Sequence, residues 1–193
     1  RYGYAWNKVY RVQSLRESGV VFEKITLIED IKFNVSYFDS VCSMNVLNTT
    51  PYHYLKRIDG SLTNKFLPDY FTLNAERVFL VLEQYKNWGM CTEEVRRILA
   101  NIYVRYLFSA LQRNCDKRSG MNHAQRKEWL KQQYETPLCK ELLSAVQASG
   151  TLFKCMAKAF CAGNIPLCLM IARSIFAVKS TFPTVFSTLK QQH

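Results

Sequence analysis

Glycine, proline and acidic residues are all scarce in this sequence. Only 7 Gly and 5 Pro occur in 193 residues, whereas 48% of the residues are hydrophobic and 13% are aromatic. This composition excludes collagen-like, low-complexity and intrinsically disordered chains. No uninterrupted apolar run approaches the roughly 18–20 residues that a membrane-spanning helix needs. The length predicts one domain of ordinary size, or one and a half.

Recognisable cysteine pairs and leader segments are also absent. The seven cysteines are odd in number and include no CxxC pair, and closely spaced pairs are the usual sign of a disulfide framework or a zinc site. We therefore expect buried, reduced thiols in a cytoplasmic protein. The chain starts with Arg1 rather than Met and shows no signal peptide or tag, so we expect it to be a piece of a longer protein.

Acidic residues are outnumbered, since 15 Asp and Glu stand against 26 Lys and Arg for a net charge of +11. Residues 1–69 hold nine basic and seven acidic residues (net +2), and residues 70–193 hold seventeen and eight (net +9). A basic half is typical of contact with nucleic acid or an anionic membrane, and also of a solvated surface. No helix-turn-helix, RRM or KH pattern is readable, so we expect no specific nucleic-acid partner.

The hydrophobic period divides the chain near residue 69. Before it, short aromatic and β-branched runs predict strands at 6–12, 44–47 and 52–58, and Ile31, Val35 and Phe38 give one apolar face of a helix that starts at Glu29 and Asp30. After it the period stays helical, with predicted helices at 73–88, 92–113, 122–134, 137–148, 152–162 and 166–179. The sequence thus predicts an α+β chain that is mostly α, in which a short α/β piece precedes a helical bundle.

Three constellations before residue 70 contain residue types suited to chemistry. They are Ala5-Trp-Asn-Lys-Val-Tyr10, Ile28-Glu-Asp-Ile-Lys-Phe-Asn34, and Pro51-Tyr-His-Tyr54 followed by Arg57 and Gly60-Ser-Leu-Thr63. Each has an ordinary structural interpretation when taken alone: strand packing, helix capping and sheet surface, respectively. Their order and spacing carry more information than any one of them.

In that order and spacing, residues 4–65 resemble the family 2 glycosyltransferases, the bacterial GT-A enzymes of capsule, lipopolysaccharide and other surface glycans. The resemblance implies that residues 1–69 are the C-terminal, acceptor-side remnant of a GT-A α/β domain and that residues 70–193 form a helical extension. The nucleotide-binding half of such enzymes, with its metal-binding Asp-x-Asp motif, is not found in the chain. Because that motif binds a divalent metal, we expect Mn or Mg in the full-length enzyme. Because this chain lacks the nucleotide-binding half, we expect no activity from it alone.

The resemblance also implies roles for individual residues in a transfer from a nucleotide-diphosphate sugar to a glycan or lipid-linked acceptor. Asp30 matches the general base of inverting members, and Glu29 would bind the acceptor or support Asp30. Trp6, Asn7 and Lys8 match the floor of the acceptor and sugar site. Arg57 and Ser61 match a segment that closes over the diphosphate, where a guanidinium can pair with phosphate oxygens. His53 is a candidate metal ligand, although a structural role fits it too.

The basic helices leave further interpretations open. Lys154, Lys158, Arg173 and Lys179 recur among apolar residues, a pattern that a helix lying on an anionic membrane shares with an ordinary bundle. We thus expect a cytoplasmic protein, peripheral on the inner face of the cytoplasmic membrane if these helices touch it, and a bundle surface that can form a homo-oligomer. The alternatives to glycosyl transfer are a non-catalytic assembly subunit and a basic helical module that binds a partner protein, a membrane surface or nucleic acid.

Overall fold

The computed structural model describes residues 3–49, 52 and 66–181, and 66% of these residues are helical. Within them the chain forms eight α-helices and one 3₁₀ turn at Lys117–Ser119. The helices are α1 (Val12–Ser18), α2 (Glu29–Asp39), α3 (Tyr70–Asn87), α4 (Glu93–Arg113), α5 (His123–Glu135), α6 (Pro137–Leu143), α7 (Thr151–Cys161) and α8 (Ile165–Thr181).

The predicted α+β class, with its remnant of a GT-A sheet, is wrong, because the described residues contain no strand and no sheet. Residues 6–10 are turn and irregular chain, helix α1 begins at Val12, and residues 44–47 are irregular. The β-branched runs are exposed: Val9 is 97% and Val46 88% accessible. A strand is stable only when it pairs with another and buries one face, and these runs do neither. Of the predicted strand at 52–58, Tyr52 alone lies within the described residues.

The helical part of the prediction is confirmed, because local capping signals mark the helix ends. Thr92 caps α4 by accepting a hydrogen bond from the Val95 amide, and Glu93 and Glu94 occupy the first turn. Asn122 and Gln125 form a reciprocal capping box at the start of α5. The differences are small, in that α3 starts at residue 70 rather than 73 and α6 ends at residue 143 rather than 148.

Helix α4 is the centre of the bundle. It packs against α3, α6, α7 and α8, and the side chains it presents to them are completely buried, including Val104, Leu107, Phe108 and Leu111. Full burial of one such side chain contributes about 1.5–3 kcal/mol to folding. The cysteines divide differently from the expectation: all seven are free, but only Cys139 and Cys168 are buried.

Helix α2 is held on α3 by apolar packing and by one buried amide. Ile28 and Ile31 join the same core cluster as Val78 of α3. Gln84 of α3, 2% exposed, donates through Nε2 to the Val35 carbonyl oxygen at 2.7 Å and to Asp39 Oδ1 at 2.8 Å. This contact crosses residue 69, the position at which the sequence predicts a division into two domains. That division itself stays a prediction.

Replacing Gln84 with glutamate tests this contact. In Gln84→Glu, an ionised carboxylate would face two acceptors in a buried position, so we expect a loss of about 2 kcal/mol or more in the free energy of unfolding near neutral pH. Burial would raise the pKa of the introduced carboxyl, and its protonated form can donate, so the loss should shrink as the pH falls. Urea unfolding in neutral and mildly acidic buffer measures both effects. The same change at exposed Gln132 should have little effect, and equal losses at both positions would contradict the role of Gln84.

Candidate functional site

The N-terminal segment, residues 3–10, lies against α2 on the side of Asn34, which is fully buried. The Tyr10 hydroxyl donates to Asn34 Oδ1 at 2.6 Å. The Tyr10 ring meets Phe33 and Tyr37 edge-on, with centroids 5.4 and 5.1 Å apart, and Phe22 stacks on Phe33 at 4.1 Å. Such aromatic pairs add about 0.5–1.5 kcal/mol beyond their buried area. Helix α2 is therefore covered by aromatic rings here, in addition to its contact with α3.

Asp30, in the first turn of α2, is close enough to Lys8 and Tyr10 to act on both electrostatically. Burial, followed by the negative charge of Asp30, raises the pKa of Tyr10 to about 12. Burial lowers the pKa of Lys8, and the charge of Asp30 opposes that shift. The predicted base is thus in the same small region as two groups that lie 20 and 22 residues earlier in the sequence.

Lys8 is held in place by its own segment. Its ammonium donates to the Tyr4 carbonyl oxygen at 2.6 Å and to Asn7 Oδ1 at 2.8 Å. These short, charge-assisted hydrogen bonds restrict a side chain that is otherwise long and flexible. The predicted residues Asn7 and Lys8 consequently act as one unit, with the Lys8 ammonium within the electrostatic reach of Asp30.

An aromatic cluster borders this region. The ring of Trp6 stacks on Tyr52 with centroids 4.8 Å apart and tilts against Tyr4 at 5.1 Å. Trp6 itself is only partly exposed, whereas Tyr52 is 50% and Tyr4 40% exposed. A ligand ring would therefore meet the two tyrosines more readily than Trp6, which the resemblance places on the floor of the acceptor and sugar site.

Glu29, beside Asp30, has an unsatisfied acceptor. Its Oε2 atom is buried and accepts no hydrogen bond. Buried carboxylate oxygens are nearly always paired, since an unpaired one has lost its water without compensation. The role that the resemblance implies for Glu29, binding the acceptor or supporting Asp30, stays a prediction.

The structure thus brings Trp6, Lys8 and Asp30 into one region, with Asn7 and Glu29 beside them. The other predicted residues, His53, Arg57 and Ser61, lie outside the described residues. Sequence reasoning assigned no role to Tyr10, Asn34, Tyr4 or Tyr52, although Tyr10 and Asn34 both lie inside the motifs that define the resemblance. The Tyr10–Asn34 hydrogen bond joins residues 24 positions apart, and no local pattern indicates such a pair.

The described residues do not form a metal site. Across residues 3–49, 52 and 66–181, no group of three or more His, Cys, Asp or Glu side chains is arranged to hold a metal ion. The Lys8 ammonium is within electrostatic reach of Asp30. Its positive charge would repel a metal cation at this carboxylate.

The basic residues of α7 and α8 lie on the outside of the bundle. Lys154, Lys158 and Arg173 are exposed, and Lys179 donates to Gln112 Oε1. Several apolar residues between them are buried: Phe153, Met156, Phe160 and Leu169 are at most 8% exposed, whereas Leu152, Met170 and Val178 are 57%, 59% and 45% exposed. Membrane contact by these helices stays a prediction.

In the described part of the chain, no helix has both the length and the apolar character needed to cross a membrane. No protein-family model matches the chain, and neither the curated proteins nor the solved structures give a significant match. These comparisons neither support nor oppose the resemblance to family 2 glycosyltransferases.

Removal of the Asp30 charge tests that geometry directly. A negative charge disfavours the tyrosinate and favours the ammonium, so in Asp30→Asn the pKa values of both Tyr10 and Lys8 should fall. NMR titration of ¹³C-labelled tyrosine and lysine side chains measures them, and Tyr10→Phe identifies the tyrosine signal. Glu93→Gln, which removes an exposed carboxylate from the first turn of α4, is the matched control and should leave both unchanged. Unchanged titrations in Asp30→Asn would show that the carboxylate is not near these groups.

Proposed function

We propose that the chain binds a glycan or lipid-linked acceptor at the acidic end of α2 and takes part in glycosyl transfer from a nucleotide-diphosphate sugar, with Asp30 as the general base. The process would be the synthesis of a bacterial surface polysaccharide. The observation that carries the proposal is the convergence of Asp30, Lys8 and Tyr10 beside a partly exposed aromatic cluster. The proposal is supported by the fact that Lys8 and Tyr10 belong to one sequence motif and Asp30 to another.

The chemistry requires a carboxylate that can take a proton from an acceptor hydroxyl. In an inverting transfer, the acceptor oxygen forms a bond to the anomeric carbon as the bond from that carbon to the diphosphate breaks. The hydroxyl proton passes to Asp30, and the diphosphate leaves with the electron pair. Asp30 is in the first turn of α2, where the helix dipole stabilises negative charge by about 0.3–1 kcal/mol.

Neighbouring groups supply what is needed to bind and orient a sugar. The half-exposed Tyr52 ring, stacked on Trp6, offers an aromatic surface to the C–H face of a pyranose. A rotation of the Glu29 side chain would bring its unpaired carboxylate oxygen to a sugar hydroxyl. Sites of this kind combine aromatic walls with a few fixed polar groups.

Substitution of Asp30 tests the proposed base. In the full-length protein, Asp30→Asn should reduce transfer by at least a hundredfold, because general-base assistance of this kind contributes about 10²–10⁴-fold. Binding of the nucleotide sugar should remain nearly intact, since the carboxylate acts on the acceptor. Product formation and calorimetry measure the two effects. Normal turnover in Asp30→Asn would refute the assignment.

Substitution of the aromatic surface tests acceptor binding in this chain itself. On a panel of bacterial surface glycans, the chain should bind at least one member, and Tyr52→Ala should weaken that binding about tenfold through the loss of ring contact. Trp88→Ala is the matched control, because Trp88 is 37% exposed at the far end of α3. Equal losses in the two variants, or no binding to any glycan, would count against the proposed acceptor site.

A further inference from the structure

A cavity of about 350 Å³ lies between α2, α3, α4 and the start of the described chain. Aliphatic side chains dominate its wall, among them Ile31, Val78, Val81, Leu99 and Ile102. Tyr4 borders it, so that the cavity and the aromatic cluster of Trp6 share one residue. Its size and its apolar wall are those of a small-molecule site.

Among the described residues that line this cavity, Arg77 is the charged one. One nitrogen, Nη1, donates to the Tyr106 hydroxyl at 3.2 Å. The Nε atom is buried and has no hydrogen-bond partner. Arginine stays charged at any accessible pH, so the cavity contains a permanent cation with an unused, desolvated N–H group.

The unused donor lies on the edge of the guanidinium that best recognises an anion. Nε–H and the adjacent Nη2 form a planar fork that matches the two oxygens of a carboxylate or phosphate. Because Nη1 is committed to Tyr106, this fork remains the side on which a ligand can pair with Arg77. Gly3 is adjacent to this edge, and a side chain at that position would crowd it, since its Cβ would lie 3.4 Å from Nη2 and 3.3 Å from Ile31 Cδ1.

We infer that this cavity binds a single-chain amphipathic anion, with a carboxylate or phosphate monoester on Arg77 and a hydrocarbon chain along the aliphatic wall. A small hydrophilic anion would leave the wall in contact with water, and an uncharged hydrocarbon would leave Nε unpaired. An amphiphile satisfies both, because its two parts match the two parts of the cavity. The inference goes beyond the proposed glycosyl transfer and uses neither Glu29 nor Asp30. The inferred amphiphile site and the proposed glycosyl transfer can therefore fail independently of each other.

Calorimetric titration of the chain with laurate and dodecyl phosphate, below their micelle concentrations, tests the inference. At least one of the two should bind with a stoichiometry of one, and the one that binds identifies the anionic group as carboxylate or phosphate. Dodecanol lacks the charge and butyrate lacks the chain, so each should bind at least tenfold more weakly. Binding of dodecanol as tight as that of both anions, or binding of neither anion, would overturn the inference.

Substitution of Arg77 locates the anionic group. Arg77→Gln should weaken binding of the anion by about tenfold or more, as expected for a hydrogen bond to a charged group. Arg97→Gln is the matched control, since it removes the same charge from an exposed position of α4. Arg77→Lys keeps the charge without the fork and should give an intermediate loss, which also serves if Arg77→Gln does not fold. Equal affinities in folded variants at positions 77 and 97 would refute the site.

Discussion

The packing of α2 between the bundle and the N-terminal segment is the constraint on which the rest of the site depends. On one side, Ile31 enters the core with α3, and Gln84 joins the two helices through two hydrogen bonds. On the other, Tyr10 donates to the buried Asn34. A helix of eleven residues is marginal by itself, so its order comes from these contacts. Without them, Asp30 would have no fixed position relative to Lys8 and Tyr10.

Both proposed sites border this one helix. Asp30 is in its first turn, and Ile31, the next residue, lines the cavity that contains Arg77. In the N-terminal segment, Tyr4 also borders both sites, since its ring contacts Trp6 and it lines the cavity. A small shift of α2 would consequently alter the walls of both sites together. The two sites use different chemistry, one a carboxylate base and the other a guanidinium, but the same packing positions them.

The sequence predicted the helices, whose ends depend on neighbouring residues, and missed the contacts between residues that are far apart in the chain. Caps such as Thr92 and Asn122 act within one turn of the helix, so the helix starts can be read from a few residues. The strands predicted at 6–12 and 44–47 were wrong because pairing requires a partner and a buried face, which exposed Val9 and Val46 lack. The motifs indicate Asp30 as a site residue, and that role stays a prediction. The Tyr10–Asn34 bond and the desolvated Arg77 arise only when distant segments pack.

The charge of the protein bears on how such a site would work. Helices α7 and α8 bury part of their apolar residues and leave Lys154, Lys158 and Arg173 in solvent, so these cations add to the positive surface of a chain whose net charge is +11. A positive field of this kind raises the local concentration of anions and accelerates their approach. Both the diphosphate of the proposed donor and the anionic group of the inferred amphiphile are anions. The acidic pair on α2, Glu29 and Asp30, is a local concentration of negative charge in this basic protein.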